Sequence, residues 1–330
     1  MSVTAAGTAT ATATAKTWNV WLYVLMGIGA AMVGLLPWII TGMRLPLQNL
    51  WADEGAGLAE PMPFVLLPFS QYFVTLLIGV IAVGSALGGL VARLTKRHRP
   101  RFGTAAVAFG VLLVQLIAVV QTASVVEDGL RETSATELYF YGLTGGAVAS
   151  IVVGMLVLGL IAAAPAAGAL VGTSLAAVAL GPWLSGLIIP HTLQPVPPEF
   201  LAFLQSASLW IPAIVVGLTI AWCGLGSASR IVAALFSLIV LWIGPVAFTA
   251  VTSSIGSRGL ARYPAEMLEY GLQVFQAALL EPGVSLRYVA LAIVVAALGL
   301  AARALRTRSG GGRVRPVDVG ERDGVAERRS

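Results

Sequence analysis

Charge is what this chain has least of. Only 11% of its 330 residues are Asp, Glu, Lys or Arg, against roughly a quarter in soluble domains. No charged side chain or histidine falls in the middle of any of its long apolar runs. Proton relays, ion-coupled sites and charged-solute sites inside a membrane normally carry one, so those functions are disfavoured. A single cysteine, Cys223, excludes a disulfide framework and a cysteine metal site. The two histidines, His98 and His191, are too far apart in the pattern to build a metal centre. There is no paired-His zinc motif and no phosphate-binding Gly-rich loop ending in Lys. Gly172-Thr173-Ser174-Leu175-Ala176 half resembles a nucleophile elbow, but that motif needs a strand-turn-helix. The sequence therefore predicts no catalytic residue, no cofactor and no metal.

What is abundant is apolar surface: 58% hydrophobic residues and a mean hydropathy of +0.89. About 20 apolar residues span a bilayer as a helix. Such runs lie near 18–41, 69–92, 104–122, 142–164, 167–189, 208–226, 231–252 and 286–304. The expected fold is all-α, a polytopic membrane helix bundle of about eight transmembrane helices. The Ala- and Thr-rich residues 1–17 and the Gly- and Arg-rich residues 307–330 read as disordered tails. The first apolar run is too long for a removed secretory signal and reads as a retained anchor.

Basic residues in short loops resist translocation, and fifteen of the twenty fall on one side if the N-terminus is cytoplasmic. They are Lys16, the 93–101 cluster, Arg230 and the arginines from Arg303 onward. Eleven of the fifteen acids, among them Asp53, Glu54, Glu137 and Glu266, fall on the other. The reading is an integral protein of the cell membrane with both termini cytoplasmic. A sequence pI near 9.7 could suggest nucleic acid, but the excess is spread over inner loops and a tail, where topology and anionic lipid account for it. No nucleic-acid partner is expected. The lipid bilayer is the expected partner, and the choice between another membrane protein and a second copy of the chain stays open.

The two halves resemble each other in order. Ala31-Met32-Val33-Gly34-Leu35-Leu36-Pro37-Trp38 matches Ala176-Ala177-Val178-Ala179-Leu180-Gly181-Pro182-Trp183 at five of eight positions. Thr122-Ala123-Ser124-Val125 recurs as Thr252-Ser253-Ser254-Ile255, and Glu137 before Tyr141-Gly142-Leu143 as Glu266 before Tyr270-Gly271-Leu272. These matches include polar residues, which an apolar bias does not generate. They predict two tandem four-helix repeats, 18–164 and 165–306, in parallel orientation because four is even. The second carries an extra amphipathic helix near 264–281, bounded by Pro264 and Pro282-Gly283, on the outer membrane surface or capping the bundle. Ser134-Ala135-Thr136-Glu137 has the capping-box pattern, which makes helix capping the expected role of Glu137.

Pro37, Pro182, Pro212 and Pro245 all fall toward the outer ends of their runs. Each removes a helical hydrogen bond, and the freed carbonyl in a bilayer needs a neighbour or a water-lined cavity. Together with Trp38, Trp183 and Trp242 they are the candidate frame of an outer vestibule, with Gln115 and Ser237 as deeper lining residues. Most tryptophans, Trp51 and Trp210 among them, also fit an interfacial belt. Two function classes follow. One is a permease-like component for a neutral, apolar or lipid-like substrate; the other is a non-catalytic scaffold or accessory subunit of a larger membrane complex. A cavity reaching the midplane would separate them.

Overall fold

The computed structural model describes residues 18–45, 63–187, 197–257, 260 and 263–310. The expected tails at 1–17 and beyond Gly310, Trp51, Asp53, Glu54 and His191 lie outside the described residues. Ten α-helices make up the rest: α1 Val20–Gly34, α2 Leu36–Ile40, α3 Val74–Leu94, α4 Gly103–Gly129, α5 Ser134–Ala163, α6 Ala166–Gly186, α7 Pro198–Cys223, α8 Ala228–Gly256, α9 Pro264–Leu279 and α10 Pro282–Gly310. Among the described residues there is no β-strand, only an isolated bridge between Arg44 and Phe64.

Seven of these helices, α3 to α8 and α10, are long and apolar enough to cross a membrane. They define an integral membrane protein. The first apolar run, expected as one span, instead forms α1 and the five-residue α2, broken at Leu35. The cause is local: Pro37 has no N–H to return to Val33, while Leu35 and Ile39 still donate to Ala31 and Leu35 across the break. Gly42, at φ +86°, then turns the chain out of α2.

Ends of the bundle differ in charge. Arg93, Lys96, Arg97, Arg99, Arg101, Arg230 and Arg303 gather where α3, α7 and α10 end and α4 and α8 begin. Every acidic side chain among the described residues belongs to the opposite end. At the basic end, arginines complete the helix termini. Arg93 Nη1 donates to the carbonyls of Ile161 (2.7 Å) and Ala164 (3.1 Å) at the end of α5, and Arg303 Nη1 to those of Ala221 and Trp222 at the end of α7. A cation at a helix C-terminus satisfies orphan carbonyls and meets the negative end of the dipole.

In the first half α1 packs on α3 and α4, and α5 packs on α3 and α4; α1 and α5 are not neighbours. In the second half α6 packs on α7 and α8, and α10 packs on α7 and α8; α6 and α10 are not neighbours. Between the halves, α6 lies against α3 and α5, whereas the corresponding α1 has no such contact with α7 and α10. The contact between the two halves is therefore asymmetric.

Two local expectations shift. The α5 capping box is built one residue early: Thr133 Oγ1 accepts from the Thr136 N–H (3.3 Å) and Thr136 Oγ1 from the Thr133 N–H (3.0 Å). Glu137 lies one position beyond it and is exposed. At the other end of the chain α10 continues to Gly310, past the expected boundary at 307. Helix α9 falls where the extra helix was expected and packs along α8, with Ser254 Oγ donating to the Met267 carbonyl at 2.6 Å. Met267, Gly271, Val274 and Ala278 face α8, Leu268 and Leu272 form an exposed apolar flank, and Glu266, Glu269 and Gln273 a polar one.

Candidate functional site

Pro182, Pro212 and Pro245 interrupt α6, α7 and α8 at the acid-bearing end of the bundle. Each deprives the carbonyl four residues earlier of its helical donor, and those carbonyls belong to Val178, Ser208 and Leu241. All six residues line one cavity of about 520 Å³. It is bounded by α6, α7 and α8, by Tyr288 of α10, and by Tyr72, Phe73, Thr75 and Leu76 at the start of α3. All three helix breaks thus fall on the wall of a single concavity, the setting in which a membrane helix tolerates a break.

The cavity is deep. Its lining runs along α8 from Leu241 to Ser253, about 18 Å at the helical rise, and Leu241 stands near the middle of that helix. The floor is closed by the core packing of Leu170, Ala177, Ala213, Val216 and Leu241. Hydroxyls of Thr75, Ser185, Ser208, Thr249, Thr252 and Ser253 interrupt an otherwise apolar wall. Two of them are turned back onto the backbone: Thr249 Oγ1 donates to the Pro245 carbonyl (3.0 Å) and Ser208 Oγ to Gln205 (2.8 Å). At the rim, Arg287 Nη2 donates to the Tyr288 hydroxyl at 2.8 Å, and its guanidinium lies over the Tyr288 and Trp210 rings.

Of the candidate vestibule residues, Pro182, Pro212 and Pro245 line this cavity and the others do not. Pro37 lies just behind the wall, where a Cβ on Gly186 would come within 3.1 Å of it. Trp38 is fully buried in the first half and donates to the Val65 carbonyl at 2.9 Å. Trp183, its match in the second half, reaches across the joint to the Gly34 carbonyl at 2.7 Å. Trp242 is half-buried on α8 beside the lining residue Leu241. Gln115 is buried between α3 and α4, donating to the Ile81 carbonyl and Ser85 Oγ, each at 3.0 Å. Ser237 is buried and bonds back to Ala233 within its own helix.

In the first half the chain itself packs into the outer end of the bundle. Residues 63–68, between the first two expected spans, and the first two residues of the run expected at 69–92 enter the bundle extended, with Val65, Leu67 and Phe69 buried against Trp38, Leu76, Val119 and Leu143. Side chains of α4 supply the missing ladder: Gln121 Oε1 accepts from Leu66 N–H and Thr122 Oγ1 from Leu67 N–H, both at 2.9 Å. The signal was in the sequence, as an apolar stretch Val65-Leu66-Leu67 too short to span and bounded by prolines. Thr252, the sequence match of Thr122, lines the cavity of the second half instead.

Among the described residues no group of three His, Cys, Asp or Glu side chains could hold a metal ion. The site defines a helical integral membrane protein with a pocket between helices. No family model, no curated protein and no solved structure matches the chain.

Proposed function

We propose that this protein is a permease-like component that takes a neutral, apolar or lipid-like substrate into the cavity between α6, α7 and α8. The single observation carrying this reading is that the proline breaks of three helices all line one pocket that descends from the helix ends to mid-helix. An apolar wall with a few hydroxyls suits an uncharged amphiphile, and buried apolar packing lies below it. The test is native mass spectrometry of the protein purified in mild detergent. Ser185→Phe and Thr249→Phe, which place a ring in the cavity at side chains that are already exposed, are expected to lose small amphiphiles that the unaltered protein retains. Equal retention by the variants would remove the reading.

The same proposal includes an eighth span, two parallel repeats and cytoplasmic termini in the cell membrane. Support for the span is that α1 and α2 together cover Val20 to Ile40 with hydrogen bonding continued across Leu35. Support for the duplication is that both halves share one neighbour pattern, with the first helix on the second and third and the fourth on the second and third. Support for the orientation is the basic end. In a Cys223→Ser background, Arg97→Cys is expected to resist an impermeant thiol reagent on intact cells while Glu266→Cys reacts; both positions are exposed. The reverse labelling would invert the topology. His98 is the poorer probe, because its ring stacks on Trp18 at 4.8 Å.

A second reading, a scaffold or accessory subunit, is favoured by one observation: α9 has no buried residue and contacts little but α8. A second copy of the chain or another membrane protein would cover it, and co-purification of a stoichiometric partner lost in a Leu268→Glu, Leu272→Glu variant would support that reading over transport.

A further inference from the structure

The asymmetric joint between the halves leaves a cleft. Because α6 alone bridges the halves along much of its length, α3 and α7 stand apart on one side of it. The gap between them is lined by Val83, Ala86, Leu87 and Leu90 of α3, Thr173 and Ala177 of α6, and Val215 of α7, with Ile161 of α5 behind. Its volume is about 120 Å³, too narrow for a helix of roughly 10 Å diameter. The walls are apolar: Thr173 turns its hydroxyl back to the Ala169 carbonyl at 2.8 Å. An occupant must be thin and greasy.

At its basic end the cleft runs into arginines. One turn beyond Leu90, the Arg93 guanidinium lies 5.0 Å from the centre of the Trp222 ring, joining α3 to the end of α7. Arg93 and Arg303 each commit one Nη to helix-terminal carbonyls, which leaves three of the five guanidinium N–H groups of each for something else. Arg230 completes the group at the turn between α7 and α8: a Cβ on Gly226 would lie 4.0 Å from Arg230 Nη1, and one on Gly224 3.5 Å from Arg303 Nη1. No carboxylate among the described residues lies at this end to neutralise them.

Helix α8 points the same way. Its first turn carries Arg230, has no acidic residue, and Ser227 at the N-cap makes no side-chain cap. A cation at the positive end of a helix dipole is unfavourable unless an anion is present, and uncapped N–H groups at a helix start are anion ligands.

We propose that an anionic phospholipid occupies this seam, its phosphate held by Arg93, Arg230 and Arg303 beside the start of α8 and one acyl chain laid in the cleft between α3 and α7. The lipid would act as a filler of the joint between the halves. This site is separate from the cavity of the second half and does not depend on what that cavity binds.

The experiment uses the full chain in nanodiscs of phosphatidylcholine mixed equally with phosphatidylglycerol, extracted and read by native mass spectrometry for retained lipid. Phosphatidylglycerol should be retained over phosphatidylcholine. Arg230→Gln, whose side chain caps no carbonyl, should lower that preference roughly fivefold, the effect of one basic residue at an anionic headgroup. Thr173→Phe should remove the retained lipid with little change in melting temperature measured in phosphatidylcholine alone. Soluble glycerol phosphate in the same discs should not compete at equal concentration. Equal retention of the two lipids, an unchanged preference in Arg230→Gln, retention by Thr173→Phe, or displacement by glycerol phosphate would each overturn the proposal. The last of these would leave a phosphate site without a lipid.

Discussion

Gly110→Val is expected to abolish most of the folded protein recovered from the membrane, whereas Gly29→Val on the helix facing it should leave recovery unchanged. A Cβ on Gly110 would lie 2.2 Å from the Val24 carbonyl oxygen, and one on Gly27 2.2 Å from that of Val107, so α1 and α4 touch backbone to backbone at both points. Neither atom can swing aside as a side-chain end could. Lipid gives no hydrophobic drive to helix association, so close approach of backbones is the main attraction here. Wedging the helices apart forfeits contacts along the whole crossing, at about 3 kcal/mol or more. Nothing lies within 4 Å of the corresponding position on Gly29. Fluorescence-detected size exclusion of the two variants checks this, and a monodisperse Gly110→Val at normal yield would show that the helices can part.

Trp38→Ala should be the next most damaging change, lowering stability by about 3–5 kcal/mol as for other fully buried aromatic truncations. The ring is 0% exposed and is the largest of the fully buried side chains. It packs near Phe73, 6.0 Å between ring centres, and its Nε1 holds the Val65 carbonyl of the inserted segment. Loss of the donor leaves that carbonyl without its partner inside the bundle, adding about 1–3 kcal/mol. Trp38→Phe, which keeps a six-membered ring but loses the donor and the pyrrole part of the indole, should cost less than Trp38→Ala. Trp183→Phe should fall near the same value, since Trp183 is only half-buried and its bond to Gly34 is also a single donor. Thermal unfolding of the four proteins in one detergent separates packing from hydrogen bonding.

These two changes concern residues whose importance was legible to different degrees. The prolines of the cavity could be read from sequence because the missing N–H of Pro182, Pro212 or Pro245 is a covalent fact. The acceptor it frees is always four residues earlier, at Val178, Ser208 or Leu241. Helix rotation was not legible. Where Ala, Val and Leu occupy every side of a helix, no periodicity says which way Gln115 or Ser237 points. Those two turned into helix contacts rather than the cavity. Pro37 and Trp38 belong to the candidate vestibule because Pro37 falls toward the outer end of its run, as Pro182 does. What separates the pairs is a segment from outside the spans, Val65 to Phe69, whose partners Gln121 and Thr122 are more than fifty residues away. The short apolar stretch between prolines marks the segment, but nothing local says which distant residues it pairs with. The break at Leu35 shows the opposite case, a purely local effect of Pro37 that hydropathy averaging over the run conceals.

The arginine caps of the basic end also fix an order of assembly. Arg93 precedes the carbonyls of Ile161 and Ala164 in the chain, so the end of α5 finds its donor already in place when it is synthesised. The end of α7 is in the reverse position, because Ala221 and Trp222 take theirs from Arg303, some eighty residues downstream. During synthesis the first half can therefore close as it leaves the insertion machinery, while the second waits for its last helix with bare carbonyls at the membrane boundary. A ribosome stalled before α10 would expose an unfinished second half beside a finished first one, and quality-control proteases have a defined interval in which to see it.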